Sequence, residues 1–292
     1  MTAALAVSPP VHPALALMAR ETRVRHGVVP RALGGHEVGR DQYLLAGDRY
    51  LMRAADGIAV HYRRGEGLTL ELPAMADPRD VALWLNGSVY AAIAAINGLL
   101  PIHASAVTWQ GRVHAFSGPP GAGKSTLAAA LGAGAMPLFC DDTLVLDLSG
   151  EGAVQCLPGH RRLKLWPDGA ALAGAAPGEQ VASHYSKRFV EPVAGTVEAV
   201  LPLAAIHFLE PGEEPRLQPI SACERIARLQ DDHYTAELFE RARGLSRADR
   251  FAQLAAIAAR VSMTRFARPF DPARFSEGRD FIADIIREGG AT

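Results

Sequence analysis

Eight residues from Gly118 to Ser125 match the spacing of a phosphate-binding loop, G-x-x-x-x-G-K-[ST], at every fixed position. Its glycines let the backbone curl so that successive N–H groups point at phosphate oxygens, and the helix that follows adds its positive end. In a loop of this kind Lys124 reaches the β- and γ-phosphates, and the Ser125 hydroxyl is suited to coordinate Mg2+. The predicted nucleotide-binding residues are Gly118, Pro119, Pro120, Gly121, Ala122, Gly123, Lys124, Ser125 and Thr126.

Two adjacent acids, Asp141 and Asp142, end an apolar strand predicted at 137–140. In P-loop proteins an acid at the end of such a strand belongs to the magnesium shell. Neighbouring side chains point to opposite faces of a regular strand, so one aspartate would face the metal and the other a substrate hydroxyl. The alternative is a solvated pair of acids in a turn, and the loop upstream favours the functional interpretation.

A hairpin immediately before the loop brings a histidine towards the phosphates. Two strand-like segments, 103–109 and 112–117, are joined by a two-residue Gln-Gly connection. Such a turn fixes the register, and counting outward from it pairs His103 with Gly118. We expect His103 to bind phosphate or to hold one of the aspartates in place.

Basic side chains in two segments are further candidates for contacts with phosphate or substrate. The polar segment 183–188 is either a mobile lid that brings Lys187 or Arg188 to the transferred phosphate, or a solvated loop. Arg162 and the nearby Lys164 either bind a phosphate or an acidic peptide, or form an exposed basic face.

The remaining pattern predicts three regions. Four short strands separated by glycine-containing turns begin near Tyr43, and a helix capped by Asp77 follows them. The regions are a flexible or loosely docked arm at 1–40, an N-terminal β segment plus helix at 41–98, and a P-loop domain at 99–292.

Composition excludes several classes of partner and compartment. Thirty basic and thirty-one acidic residues leave a net charge of −1, whereas general nucleic-acid binders have a basic surplus. The apolar run at 81–102 is interrupted by Asn, Gly and Ser, which favours a buried helix over a membrane span. Three scattered cysteines fit a reducing cytoplasm. We therefore expect a cytoplasmic protein with no nucleic-acid or membrane partner.

The ordered motifs resemble the catalytic domain of HPr kinase/phosphorylase, the bacterial serine kinase of the phosphotransferase system's carrier protein. The matching residues within 100–148 are the His-Ala-Ser-Ala-Val strand at 103–107, the loop at 118–126 and the pair Asp141 and Asp142. The same core is similar to phosphoenolpyruvate carboxykinase. This resemblance implies an α/β fold with a mixed sheet, preceded here by a small antiparallel β segment.

The resemblance also implies a role for each matching residue. Lys124 would carry phosphate, Ser125 and Asp142 would hold the metal, and Asp141 would accept the proton of a substrate hydroxyl. The roles of the two aspartates are open to exchange. Thr126 stands where the family commonly has glutamate, and the family's later Arg-Gly signature has no clear copy.

HPr-kinase-like proteins encoded with lasso-peptide biosynthesis are similar over two further motifs. These are Leu-Leu-Pro-x-His-Ala-Ser at 99–105 and Leu-x-Leu-Trp-Pro-Asp at 163–168. The resemblance implies ATP and Mg2+ as cofactors and a serine of a precursor peptide or small protein as acceptor. An ATPase or regulator without an acceptor, a small-molecule kinase, a preference for GTP and any oligomeric state stay open.

Overall fold

The structure, a computed structural model, describes residues 11–182, 185–230, 237–239 and 241–289. Its helices are α1 (Pro13–Glu21), α2 (Pro78–Trp84), α3 (Tyr90–Ile96), α4 (Lys124–Ala133), α5 (Pro167–Leu172), α6 (Ala222–Gln230), α7 (Arg247–Arg260) and α8 (Phe275–Gly289). Its strands are β1 (Val24–His26), β2 (Ala32–Leu33), β3 (His36–Glu37), β4 (Gln42–Ala46), β5 (Arg49–Arg53), β6 (Ala59–Arg63), β7 (Gly67–Glu71), β8 (Leu100–Ile102), β9 (Ala104–Trp109), β10 (Arg112–Ser117), β11 (Leu138–Cys140), β12 (Leu144–Asp147), β13 (Gln155–Leu157), β14 (Leu163–Leu165), β15 (Gln180–Ala182), β16 (Tyr185–Val190), β17 (Leu201–Pro211), β18 (Arg216–Pro219), β19 (Ala242–Arg243) and β20 (Ser262–Arg268).

The first sheet has the strand order β1-β7-β6-β5-β4-β19. Strands β4 to β7 form an antiparallel meander, as their four short apolar runs predict. Strands β1 and β19 pair in parallel with β7 and β4, and both come from outside the predicted second region. Segments distant in sequence therefore complete this sheet, and the local strand pattern does not reveal them.

The described part of the predicted arm packs on the first sheet instead of being loosely docked. Met18 of α1 is buried, because it contacts the apolar core of the sheet. The carboxylate of Glu21 accepts hydrogen bonds from the Tyr62 hydroxyl and the Gly65 N–H, each at 2.8 Å. A buried carboxylate needs such partners, and they fix α1 on the sheet. Residues 1–10 of the arm lie outside the described residues.

The apolar run predicted as one buried helix is a helical segment with a break. α2 begins at Pro78, and the side chain of Asp77 caps it by accepting a hydrogen bond from the Arg79 N–H (2.8 Å). A π turn at Leu85–Val89 separates α2 from α3, and Gly87 within it has φ −103° and ψ −111°. π turns are frequent at functional sites. Within the described ranges, no helix is long and apolar enough to cross a membrane.

The central nine-stranded sheet contains the predicted hairpin as β9 and β10. Its register is confirmed, because Trp109 pairs with Arg112 and Ala104 with Ser117. The ladder ends one step before His103, whose carbonyl oxygen accepts a hydrogen bond from the Ser117 hydroxyl (3.2 Å). β10 pairs in parallel with β17, and β17 pairs in parallel with β20. The sheet is therefore mixed, as the α/β expectation requires.

Helices cover both faces of the central sheet. The side chains of β9 point alternately to the two faces and therefore pack against different helices. Ala104 and Ala106 belong to the core shared with α6 and α7, whereas Val107 belongs to the core shared with α4 and α8. By the same alternation Ser105 faces α4, the helix that follows the phosphate loop. The hairpin thus delivers one polar side chain to the loop and apolar ones to the opposite core.

A buried histidine lies at the centre of this sheet. His207 on β17 is 3% exposed, and its ring stacks on His114 and Phe116 of β10 with centroid distances of 5.9 and 5.5 Å. Its Nδ1 atom lies 2.8 Å from the hydroxyl of Thr264. Burial, with a smaller contribution from His114, lowers the pKa of His207 to about 3. The folded protein therefore holds this imidazole neutral.

We expect the free energy of unfolding to decrease as the pH falls below about 6.5, and His207→Gln to reduce that decrease. The folded state keeps His207 neutral down to about pH 3, whereas the unfolded chain gains a proton near the ordinary histidine pKa. The stabilisation is complete above that ordinary pKa and is lost towards pH 3. Between about pH 7 and pH 5 one such histidine removes about 2 kcal/mol, which urea unfolding at both pH values measures.

The matched control is His36→Gln, at an exposed histidine of β3. It should retain the pH dependence of the wild type. If His207→Gln also retained the wild-type dependence, His207 would not be held neutral in the fold.

Candidate active site

The phosphate loop has the backbone conformation that its glycines allow. Gly121 and Gly123 have φ of +83° and +82°, and α4 begins at Lys124 directly after them. The Lys124 ammonium donates to the carbonyl oxygens of Gly118 (2.8 Å) and Pro119 (3.3 Å), and its side chain is buried. Backbone N–H groups, a helix N-terminus and a buried cation together form a site for a polyanion.

Asp141 is the acid that contacts the loop. Its Oδ1 atom accepts hydrogen bonds from the hydroxyls of Ser105 (2.6 Å) and Ser125 (2.8 Å), and its Oδ2 atom accepts one from the Lys164 N–H (3.0 Å). Burial, and then the charge of Asp142, raise the pKa of Asp141, while Lys164 and the two serines oppose this. The structure thus joins Ser125 to Asp141, although the resemblance implied Asp142.

The side chains of Asp141 and Asp142 have different surroundings, because the backbone stops following a regular strand between them. β11 ends at Cys140, and Asp142 has φ +68°, so the regular alternation expected for a strand stops here. Its carboxylate forms an ion pair with the ammonium of Lys164, which is 4% exposed. Burial opposes ionisation of Asp142, but Lys164 outweighs it and lowers the pKa to about 2, with smaller contributions from His103 and Lys187.

A cleft of about 650 Å³ runs along the loop. Residues 120–126 form one wall, and His103, Asp142 and Lys164 line it as well. Phe270 adds apolar surface and is 44% exposed. The predicted loop, the histidine and the second aspartate therefore share one cavity, which has the size of a small-molecule site.

Lys187, like Lys164, is a predicted basic residue that lines this cleft. It lies on β16, which pairs with β14 and β15 in a three-stranded sheet, and its ammonium is 5.9 Å from the centroid of the Trp166 ring. The described part of the predicted lid, from Tyr185 to Arg188, is thus a paired strand and not a loop. Ser183 and His184 of that segment lie outside the described residues.

The two predicted arginines do not line the cleft. Arg162 stacks on the ring of Phe189 (3.5 Å from guanidinium carbon to ring centroid) and forms an ion pair with Glu179 (2.6 Å). Arg188 is exposed and donates to the carbonyl oxygen of Gly178 (3.0 Å). Both are at least partly exposed and contact residues in or next to the three-stranded sheet, which favours the alternative of an exposed basic residue over a phosphate contact.

The Trp-Pro-Asp stretch positions the first turn of α4. α5 begins at Pro167 and brings Gly169 against Thr126, where an added Cβ would lie 2.7 Å from the threonine hydroxyl. Any larger residue there would displace α5 from the loop. Thr126 therefore serves both as a cleft residue and as a packing contact.

Ser105 and Arg268 were not predicted as site residues, and Lys164 was predicted as a contact for phosphate or an acidic peptide rather than as the partner of both aspartates. Ser105 has a signal, because it occupies the same face of β9 as Val107. Lys164 has a weaker one, since a lysine between two leucines of a strand is seldom buried without a partner. Arg268 at the end of β20 has none: it is 4% exposed and donates to the Ala122 carbonyl oxygen (2.9 Å), and it reaches the loop because β10, β17 and β20 run in parallel.

No protein-family model and no curated protein matches this chain. Among solved structures, the Hpr(Ser) kinase/phosphatase from Coxiella burnetii is similar, with 12% sequence identity and a TM-score of 0.35. The match covers 65% of this chain and 89% of that one. At that score the likeness assigns neither an activity nor a substrate.

We expect Gly123→Ala to lower both stability and nucleotide affinity more than Gly121→Ala. Both glycines have φ near +82°, so both substitutions cost about 1–2 kcal/mol of backbone strain. A Cβ at Gly123 would also lie 2.6 Å from the guanidinium of Arg268, whereas one at Gly121 would meet nothing within 4 Å. Displacing that buried donor costs about 1–3 kcal/mol more.

Thermal unfolding and titration with a fluorescent ATP analogue measure the two effects. In the double variant Gly123→Ala, Arg268→Ala the close contact is absent, so the effect of the glycine substitution should shrink. Equal effects of the two single substitutions would show that Arg268 does not support the loop.

Proposed function

We propose that this protein is an ATP-dependent kinase that transfers a phosphate to a serine hydroxyl of a peptide or small protein. The observation that supports this most is that the two aspartates have different surroundings. Asp141 is fully buried on Ser125, whereas Asp142 lines the cleft and is paired with Lys164. Nucleotide binding requires only the first acid, and the second provides a proton acceptor for a hydroxyl.

The residues at the loop fit a nucleoside triphosphate with magnesium. The buried ammonium of Lys124 and the N–H groups after Gly121 suit phosphate oxygens, and the hydroxyl of Ser125 with the carboxylate of Asp141 suits a hard cation. We therefore assign Ser125 and Asp141 to the metal, with the roles of the aspartates exchanged relative to the first expectation. When bound, ATP supplies the phosphate and Mg2+ neutralises its charge.

The second acid acts on the acceptor. The serine hydroxyl loses its proton to a carboxylate oxygen of Asp142 while its oxygen forms the new bond to phosphorus, and ADP leaves. Lys164 keeps Asp142 in the ionised form, which is the form that accepts a proton, and the same ion pair makes this carboxylate a weak base. Lys187 lines the same cleft and adds positive charge near the transferred group, and His103 lines it as well. The protein contributes position and charge rather than a covalent intermediate.

A lasso precursor peptide is the acceptor that the two motifs at 99–105 and 163–168 favour. Both motifs lie in the site: the first supplies His103 and Ser105, and the second supplies Lys164 and Trp166. Their resemblance to proteins encoded with lasso-peptide biosynthesis is what supports this choice. A chemically synthesised precursor is therefore the first acceptor to test, beside unrelated serine peptides.

We expect Asp142→Asn to reduce phosphate transfer by about 10²–10⁴-fold while nucleotide affinity changes little, because the variant loses only the proton acceptor. Asp141→Asn and Lys124→Ala should weaken binding of the nucleotide with Mg2+ as well. The mass shift of the acceptor peptide measures transfer, and a fluorescent ATP analogue measures binding.

The matched control is Asp284→Asn, at an exposed aspartate paired with Arg287 on α8. It should leave both quantities unchanged. Hydrolysis of ATP at the same rate with and without every acceptor tried would contradict the kinase assignment and favour an ATPase. Full transfer by Asp142→Asn would remove this residue from the mechanism.

A further inference from the structure

A second cavity of about 450 Å³ opens beside the cleft. We call it the side groove, and it is lined by residues of β4 and β5, by the α2–π segment, and by Glu237, Leu238 and Arg241. Leu83, Asp142 and Lys164 line both the side groove and the cleft, so the two cavities adjoin at the second aspartate.

The side groove has an apolar floor. Met52 and Leu238 are buried at 3% and 2% exposure, and Leu83, Trp84 and Ala54 extend the same surface. The charges around it balance, since its acidic residues are Asp41, Asp142 and Glu237 and its basic residues are Arg53, Lys164 and Arg241. Neither sign dominates, so an apolar group is the fitting occupant.

Side chains at the rim of the side groove contact one another. The Tyr43 hydroxyl donates to Glu237 (3.2 Å), and the Arg241 guanidinium lies 4.8 Å from the centroid of the Tyr43 ring. Glu237 and Arg241 are exposed, so a chain that enters from solvent passes over them. On the opposite side the π turn places Gly87 and Ser88 in the lining.

The nucleotide base is a poor candidate for this space. Phe270 and Phe275 lie 4.9 and 5.5 Å from the guanidinium of Arg268, which contacts the loop at Ala122. Asp142 instead follows Asp141, which contacts the loop at Ser125, where the γ-phosphate would lie. Phe270 and Phe275 line the cleft and not the side groove, so the cleft itself offers an aromatic surface for the base.

We infer that the side groove binds the acceptor polypeptide, taking a bulky apolar side chain next to the phosphorylated serine. This inference rests on the proposed function, because it places the acceptor hydroxyl at Asp142. An acceptor side chain in the groove would be anchored against Met52 and Trp84 while its serine reaches the cleft. A small-molecule acceptor would need the cleft alone.

Binding selection tests the inference directly. The full chain, loaded with Mg2+ and a non-hydrolysable ATP analogue, is used to select from a peptide library with one fixed serine and randomised flanking positions. We expect enrichment of Leu, Met, Phe or Trp at one fixed distance from the serine. Absence of bound peptides, or enrichment without an apolar position, would overturn the inference.

Gly87→Trp is the variant that fills the groove. A Cβ at Gly87 meets nothing within 4 Å, so the new side chain has open space before it. We expect affinity for the enriched peptide, labelled with fluorescein, to fall about tenfold or more, with affinity for the ATP analogue unchanged. The matched control is Gly150→Trp, at another glycine with open space, outside the groove.

Trp84→Ala serves as a second variant if Gly87→Trp unfolds, and it should weaken the same peptide. A loss of nucleotide affinity in these variants without a loss of peptide affinity would show that the groove holds nucleotide, which overturns the inference. Selected peptides that bind but receive no phosphate from ATP would contradict the kinase assignment and leave the groove assignment standing. Phosphorylation of peptides with no preference for an apolar position would overturn the groove assignment and leave the kinase assignment standing.

Discussion

Two adjacent carboxylates in a buried site repel each other, and Lys164 offsets this repulsion by contacting both. Its backbone N–H binds Asp141, and its ammonium binds Asp142. Burial would otherwise favour the neutral form of both acids. The lysine must therefore be held in place, and β14 does this through its pairing with β16, where Leu163 lies opposite Val190. The three-stranded sheet therefore supports the active site by holding Lys164 in place.

The remaining contacts reach Asp141 from parts of the chain that only the mixed sheet brings together. Ser105 comes from the hairpin before the loop, and Ser125 comes from the first turn of α4 after it. An early strand of a parallel sheet would have no antiparallel neighbour to supply the first serine. The hairpin thus fixes the distance between the loop and Asp141, which directly follows β11, because β9 pairs with both β10 and β11.

Sequence reasoning succeeded where the chemistry is local. The loop spacing, the hairpin register and the meander of the first sheet follow from neighbouring residues, and the structure has them. It failed where a side chain is positioned by distant pairing. Arg162 and Arg188 look like phosphate contacts in the sequence, but their partners Glu179 and Gly178 become visible only once β14 to β16 are paired. The left-handed backbone of Asp142 was not predicted either, although aspartate is one of the residue types that adopt a positive φ more often than most.

The strand that completes the first sheet also helps to position the side groove. β19 pairs with β4, so the segment that carries Glu237, Leu238 and Arg241 is fixed to the far edge of the meander. Leu238 belongs to the same core as Val145, a strand residue of the central sheet. That shared core ties the two sheets together on either side of Asp142. The side groove is lined by β4, β5, the α2–π segment, Leu238 and Arg241 beside Asp142, and this is the lining that the inferred acceptor site would use.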